Sequence, residues 1–387
     1  MVLMLWIAGV LVIALVWWLL RRSPAARTAG GPALPSRGVP PPPGTPHSQR
    51  MPAAPMPAAP PASLTPPVPV ERPVPPELVA LHWTREAELD GERRLALAHA
   101  VKGIPRPPRS LQKLLSPEFL ARAGSNELGE LVMGEPLIAA KVLSTVNSPL
   151  YGLRNPVNGI GQAITFLGMN TVRSICMQYM LAEAFKPTLA SSQRAFDRIW
   201  HASAIASELS VRLGKALNLP EQGALATQVV LGFVGHLAAA SLLPPASLDS
   251  WLAMDRVQRT RHEQDAVGLS AGEIGGLLLK LWELPGGLVD DVCDTSRVLV
   301  EPSTTVGYGR VPRLALCYLC AHLGERLALG QMASLEGYDT SQDHTPATFH
   351  LQGYLAHPAL AQLNAALQSA EVQSAVQNLL SGGRQPA

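Results

Sequence analysis

Apolar residues along this chain recur at the spacing of helices and almost nowhere at the spacing of strands. From Leu137 to Asn147, Ile138, Val142, Leu143 and Val146 share one flank, and Pro149 disfavours a helical Ser148, so the pattern predicts a helix that ends at Asn147. Gly152 and Pro156 then turn the chain. Ile160, Ala163, Ile164 and Leu167 form the next stripe, at offsets of 0, 3, 4 and 7, and Gly168 closes it. A third stripe opens with Val172, Ile175, Cys176 and Tyr179. Beyond it the same period predicts helices over roughly Ser191–Gly214, Glu221–Leu242, Ser247–Val267, Ala271–Leu281, Pro285–Ser296 and Val311–Leu329. An earlier helical stretch runs from Glu77 to Val101, and a later one from Pro358 to Leu380. The fold class expected is all-α, one multi-helix domain.

The first 76 residues break this pattern. Val2 to Leu20 holds no charge, and at the helical rise of 1.5 Å per residue it extends about 28 Å, close to the hydrocarbon thickness of a bilayer. Trp17 and Trp18 followed by Arg21 and Arg22 have the order of an interfacial belt and a basic stop, and no positive segment precedes the apolar run. An uncleaved anchor in the inner membrane is therefore expected, with the N-terminus outside and the bulk of the chain in the cytoplasm. Gly31 to Pro76 carries half of the 36 prolines, a tandem repeat over Met51–Pro60 and few large apolar residues, which suits a disordered spacer. The organisation expected is an anchor over 1–22, a proline-rich linker over 23–76, a helical lead-in over 77–103, a folded domain over 104–332 and an extension with one helix over 333–387.

Composition narrows the chemistry. A net charge of +2 is too small for a nucleic-acid surface, and aromatic residues at 5% with abundant Ala and Leu favour helices over sheets. Cys176, Cys293, Cys317 and Cys320 all lie in apolar helical contexts, as buried free thiols of a reducing compartment do. Cys317 and Cys320 have half of a zinc site's spacing, but no second pair completes it. No phosphate-cradling glycine loop, dinucleotide fingerprint or nucleophile elbow occurs, and His262-Glu263 lacks the second histidine of a zinc peptidase helix.

Several short motifs, in order, carry a resemblance: Glu135-Pro136-Leu137, Asn147-Ser148, Tyr151-Gly152, Gln162-Ala163-Ile164 and Leu167-Gly168. Together they resemble the signature of the HDOD domain, a helical signalling module related to HD-type phosphohydrolases, over about Ile104 to Leu329. The resemblance implies where metal ligands of an HD-type site would stand. The first histidine would follow Trp200, yet Ala202 occupies its place; the His-Asp pair before Gly235 is replaced by Gly232 and Phe233; the histidine of the next motif is replaced by Ala271. After Trp282 and Leu284-Pro285, paired histidines give way to the Asp294-Thr295-Ser296 region. His201 and His236 have no neighbouring carboxylate in sequence that would make them displaced ligands. The function expected is a non-catalytic, membrane-tethered signalling scaffold without cofactor that binds a protein partner or a small signalling nucleotide, and no nucleic acid. A metal-dependent phosphohydrolase with a rearranged site, and a cell-envelope protein on a proline-rich stalk, are the alternatives.

Overall fold

The computed structural model describes residues 73–382, apart from 149, 150, 152, 154, 186 and 188. The expected anchor, nearly all of the expected linker and Gly152 lie outside the described residues. Among those described, every regular element is helical and none is a strand.

Most of the helices begin and end where the stripes do. Gly91–Lys102 (α1) is capped by Asp90, whose carboxylate accepts from the Arg93 N–H. Pro136–Val146 (α2) has Pro136 in its first turn, where a missing N–H costs nothing, and Asn147 as its C-cap. Ile160–Leu167 (α3) buries Ile160, Ala163 and Ile164, whereas Leu167 is only half covered. Gly168 ends it at φ +82°, a conformation that favours glycine, and releases the chain into Met169–Ala184 (α4). The long helices Ala190–Ala216 (α5) and Gln222–Leu242 (α6) follow, then Arg256–Val267 (α7), Ala271–Leu281 (α8), Gly286–Arg297 (α9) and Val311–Ala328 (α10).

Three expected helices are broken. Ser247–Val267 is two, Leu248–Ala253 and α7, because Met254 leaves the helical region and Asp255 starts afresh by accepting from the Gln258 N–H. Glu77–Val101 is a short helix at Pro76–Val79, an extended crossing and then α1. The crossing is held by distant partners: the Thr84 N–H reaches Gln264, Trp83 reaches Glu273 and Arg85 reaches Glu301. Pro358–Leu380 is a single turn, a short helix at Leu363–Leu367 and Ala370–Gly382 (α11). Both the lead-in and the extension pack on the core of the domain. Tyr318 donates to the Ala347 carbonyl, Arg212 of α5 pairs with Glu371 of α11, and His201 meets the Leu379 carbonyl.

Helix α6 lies at the centre, against α4, α5, α8, α9 and α10. Its apolar residues run all round it, as burial on every side requires, and although it is long and apolar enough to cross a membrane it is a core helix. Such packing needs small residues at the crossings. A Cβ on Gly235 would fall 1.9 Å from the Ala271 carbonyl oxygen, and one on Gly275 would fall 3.0 Å from the Gly235 backbone, so α6 and α8 touch main chain to main chain. Helix α10 meets α5 in the same way, with Gly324 against the Ala202 carbonyl and Ala206. All four cysteines are buried and free.

Gly235→Ala is expected to destabilise the domain by about 3 kcal/mol or more, because backbone cannot move aside as a flexible side chain can. Gly232→Ala, one turn earlier with open space at its Cβ, should be neutral or stabilise by up to about 1 kcal/mol through helix propensity. Urea unfolding of the two variants measures the contrast.

Candidate functional site

The signature residues of the α2–α3 region make contacts that shape the loop between the two helices. The Asn147 side chain donates to the Leu143 and Val157 carbonyls at 2.9 and 2.8 Å and accepts from the Val157 N–H at 2.7 Å, which staples the loop between α2 and α3. Ser148 carries the backbone turn to Tyr151. Tyr151 sets its ring edge-on to Phe166 at 6.4 Å, and burial, with Glu208 nearby, pushes its hydroxyl up to about 12. Trp282 is fully buried beside Phe185, Trp200 is half-buried on α5, and Pro285 caps α9.

The four positions where HD-type ligands were expected sit around α6. Ala202 is buried on α5 against α10; Phe233 is buried and Gly232 half-buried on α6; Ala271 opens α8. None of these side chains has a donor atom for a metal. Among the described residues no three His, Cys, Asp or Glu side chains converge as a metal-binding group. The residues present do not fit a metal of the HD type.

What stands beside these positions is a buried ion cluster. Glu325 of α10 takes Arg256 at 2.7 Å on one oxygen and Arg259 on the other, with His236 of α6 at 3.5 Å. Arg259 and Glu325 are almost wholly covered, at 4% and 8% side-chain exposure. Burial opposes the ionisation of Glu325, but Arg256 and Arg259 outweigh it and hold its carboxyl well below the usual carboxylate range. Both guanidiniums also lie over rings, Arg256 at 4.6 Å from Tyr318 and Arg259 at 5.8 Å from Trp251. Behind them Glu263 accepts from Trp251 Nε1 at 3.1 Å and from the Ala271 N–H at 2.6 Å. Burial nevertheless pushes Glu263 up to about 7, against the pull of Arg259 and those two donors.

A small space of about 40 Å³ lies among Trp83, His236, Arg259, Glu263 and Ala271. Through Trp83 the lead-in thus borders the start of α8, where Ala271 stands. On the other side, a cavity of about 260 Å³ opens between α7 and α10 and is lined by Arg256, Arg259, His322, Glu325, Arg326 and Ala347. Arg326 is engaged by Asp343 at 2.8 Å, and His322 lies 3.8 Å from the same carboxylate. Spacing alone did not single out Arg256, Arg259 or Glu325. The signal that could have found them is a charged pair, Glu325-Arg326, at the end of a helix whose middle, Leu314 to Ala321, is free of charge.

The architecture among the described residues is that of an all-helical domain. The chain belongs to the HDOD domain family, whose profile matches residues 104–297. Among solved structures, an HDOD domain protein of unknown function from Geobacter sulfurreducens is similar at 19% identity, with 75% of this chain and 99% of that one covered and a TM-score of 0.51. A protein provisionally named a phosphohydrolase, from Shewanella amazonensis SB2B, aligns at 19% identity over 74% of this chain and 97% of its own, with a TM-score of 0.47. The MmoQ response regulator from Methylococcus capsulatus aligns at 18% identity over 69% and 98%, with a TM-score of 0.33. No protein of curated function matches the chain. At these identities the likeness establishes a fold.

Replacing Glu325 by Gln would leave two buried guanidiniums facing a neutral amide, and the expected loss is about 3–5 kcal/mol in urea unfolding. A pH dependence follows from His236, which burial holds down at about 4 from its ordinary 6.5 while Glu325 pulls the other way. Between those values the unfolded chain binds a proton that the folded chain refuses, so this residue makes stability fall as pH drops through the window and is silent above it. His236→Gln should flatten the urea midpoint over pH 6.5 to 4 relative to the parent.

Proposed function

We propose that this protein is a non-catalytic, membrane-tethered HDOD module that serves as a signalling scaffold, holding a protein partner or a small nucleotide. The observation that carries the reading is the replacement of a metal's donor set. Where the resemblance expects ligands there are Ala202, Gly232, Phe233 and Ala271, and the charge at the centre comes from Arg256 and Arg259, offset in part by Glu325. Two guanidiniums satisfied by one carboxylate are a structural substitute for a cation; they offer no activated water and no open coordination position.

The tether rests on the uncharged run Val2–Leu20 and on Arg21, Arg22 and Arg27 at its C-terminal side, which the positive-inside rule turns into a cytoplasmic domain. A reporter fused after Ala387 should be active in its cytoplasmic form. Activity only in the periplasm would sink this orientation, and Arg21→Glu with Arg22→Glu should weaken its bias.

Elemental analysis of the purified protein and a phosphodiesterase assay on cyclic dinucleotides test the chemistry. The expected result is no stoichiometric metal and no turnover, and Gly232→His with Phe233→Asp should not restore either, since Ala202 and Ala271 would remain. Stoichiometric metal with turnover that is lost in His201→Ala, His236→Ala would mean a relocated catalytic site and the end of the scaffold reading.

A further inference from the structure

Arg173 of α4 is a buried cation with no counter-charge among the described residues. It is 4% exposed, its Nε has no hydrogen-bond partner, and among the described residues no carboxylate pairs with it. Its near neighbours are the Phe119 ring, 5.9 Å from the guanidinium carbon, and Cys176, whose thiol burial pushes up to about 12 and so keeps neutral. Burial accordingly lowers the arginine's own affinity for its proton. An isolated ion taken out of water is costly, and native folds pair such groups.

The guanidinium abuts the first turn of α6. A Cβ on Gly223 would fall 2.7 Å from Arg173 Nη1 and 2.6 Å from Asn170 Oδ1, so only glycine lets α4 approach this closely. That turn is itself uncapped. Glu221, the N-cap residue, sits at φ +52° and makes no side-chain cap; its carboxylate is turned away to Arg313 at 3.2 Å. Among the described residues the Gln222 and Gly223 N–H groups find no acceptor. The positive end of a 21-residue helix dipole therefore faces a positive side chain, and among the described residues no carboxylate lies between them.

We propose that Arg173 and the Gln222 and Gly223 amides in the first turn of α6 together hold a phosphate group of a small ligand. A tetrahedral oxyanion can take the planar fork of the guanidinium and the helix amides from different directions, whereas a flat carboxylate meets fewer of them. The site is on the α4 side of α6, apart from the Glu325 cluster, and it stands independently of the scaffold reading: a domain that turned over phosphodiesters elsewhere would keep it.

The test is amide hydrogen exchange on the full chain, purified in detergent micelles, with inorganic phosphate added and ionic strength held constant with chloride. Phosphate at ten times its dissociation constant should slow exchange at Gln222 to Leu225 by roughly tenfold, with little change elsewhere. Arg173→Gln should abolish that protection, and Arg173→Lys should keep a part of it. If the glutamine variant does not fold, the parent and the lysine variant still decide, since the parent must show local protection and the lysine variant less of it. No local protection in the parent, uniform slowing across the domain, or protection retained in Arg173→Gln overturns the proposal. Protection by a nucleoside monophosphate but not by nanodiscs containing phosphatidic acid assigns a soluble ligand; the converse assigns a lipid headgroup.

Discussion

Backbone meets backbone where α6 crosses α8, and the placement of the whole centre depends on that contact. The Gly235–Ala271 approach leaves no room for a methyl group, so the two axes are fixed at one separation. From this follow the positions of Phe233, Gly232 and His236 on one side of the crossing and of Ala271 on the other. Because Ala271 also donates its N–H to Glu263, the same contact sets the depth at which α7 is buried. A helix with no polar face can be central only if its neighbours come this close.

The Glu325 cluster answers a different requirement. Helix α7 is polar, with arginines three residues apart, and would belong on the surface if it were not drawn inward by a carboxylate on α10. Burying such ions gains little stability over a well-packed apolar group, but removing one partner is expensive, so the cluster acts as a register pin. It allows one alignment of α7 on α10 and penalises every slip. The arginines line a cavity of about 260 Å³ on its outer side and a space of only about 40 Å³ on its inner one.

How far the sequence discloses this depends on the range of the interaction. Stripe spacing placed α2, α3 and α8 to within a residue or two, since apolar periodicity and a closing glycine are local. The break at Met254 was hidden because Trp251, Met254 and Val257 recur at three-residue spacing across it, although Asp255 with Gln258 three residues on carries the look of a cap. The lead-in failed as a single helix for another reason: Trp83, Thr84 and Arg85 spend their polar groups on residues 180 or more positions away. Arg256 and Arg259 look like a solvated face until Glu325, 66 residues after Arg259, is brought to them. The unpaired state of Arg173 is visible only once every neighbour is in place.

The two ends of the described chain close the fold late. His201 on α5 waits for Leu379, 178 residues on, and Trp83 waits for Glu273, 190 residues on. At synthesis rates of about 5–20 residues per second, roughly 10 to 40 seconds separate the emergence of each pair from the ribosome. During that interval α5 lacks α11, and the lead-in hangs beside a core whose strap is not yet fastened. The nascent domain therefore spends most of its synthesis with apolar flanks uncovered, and chaperone demand falls on the growing chain rather than on the finished one.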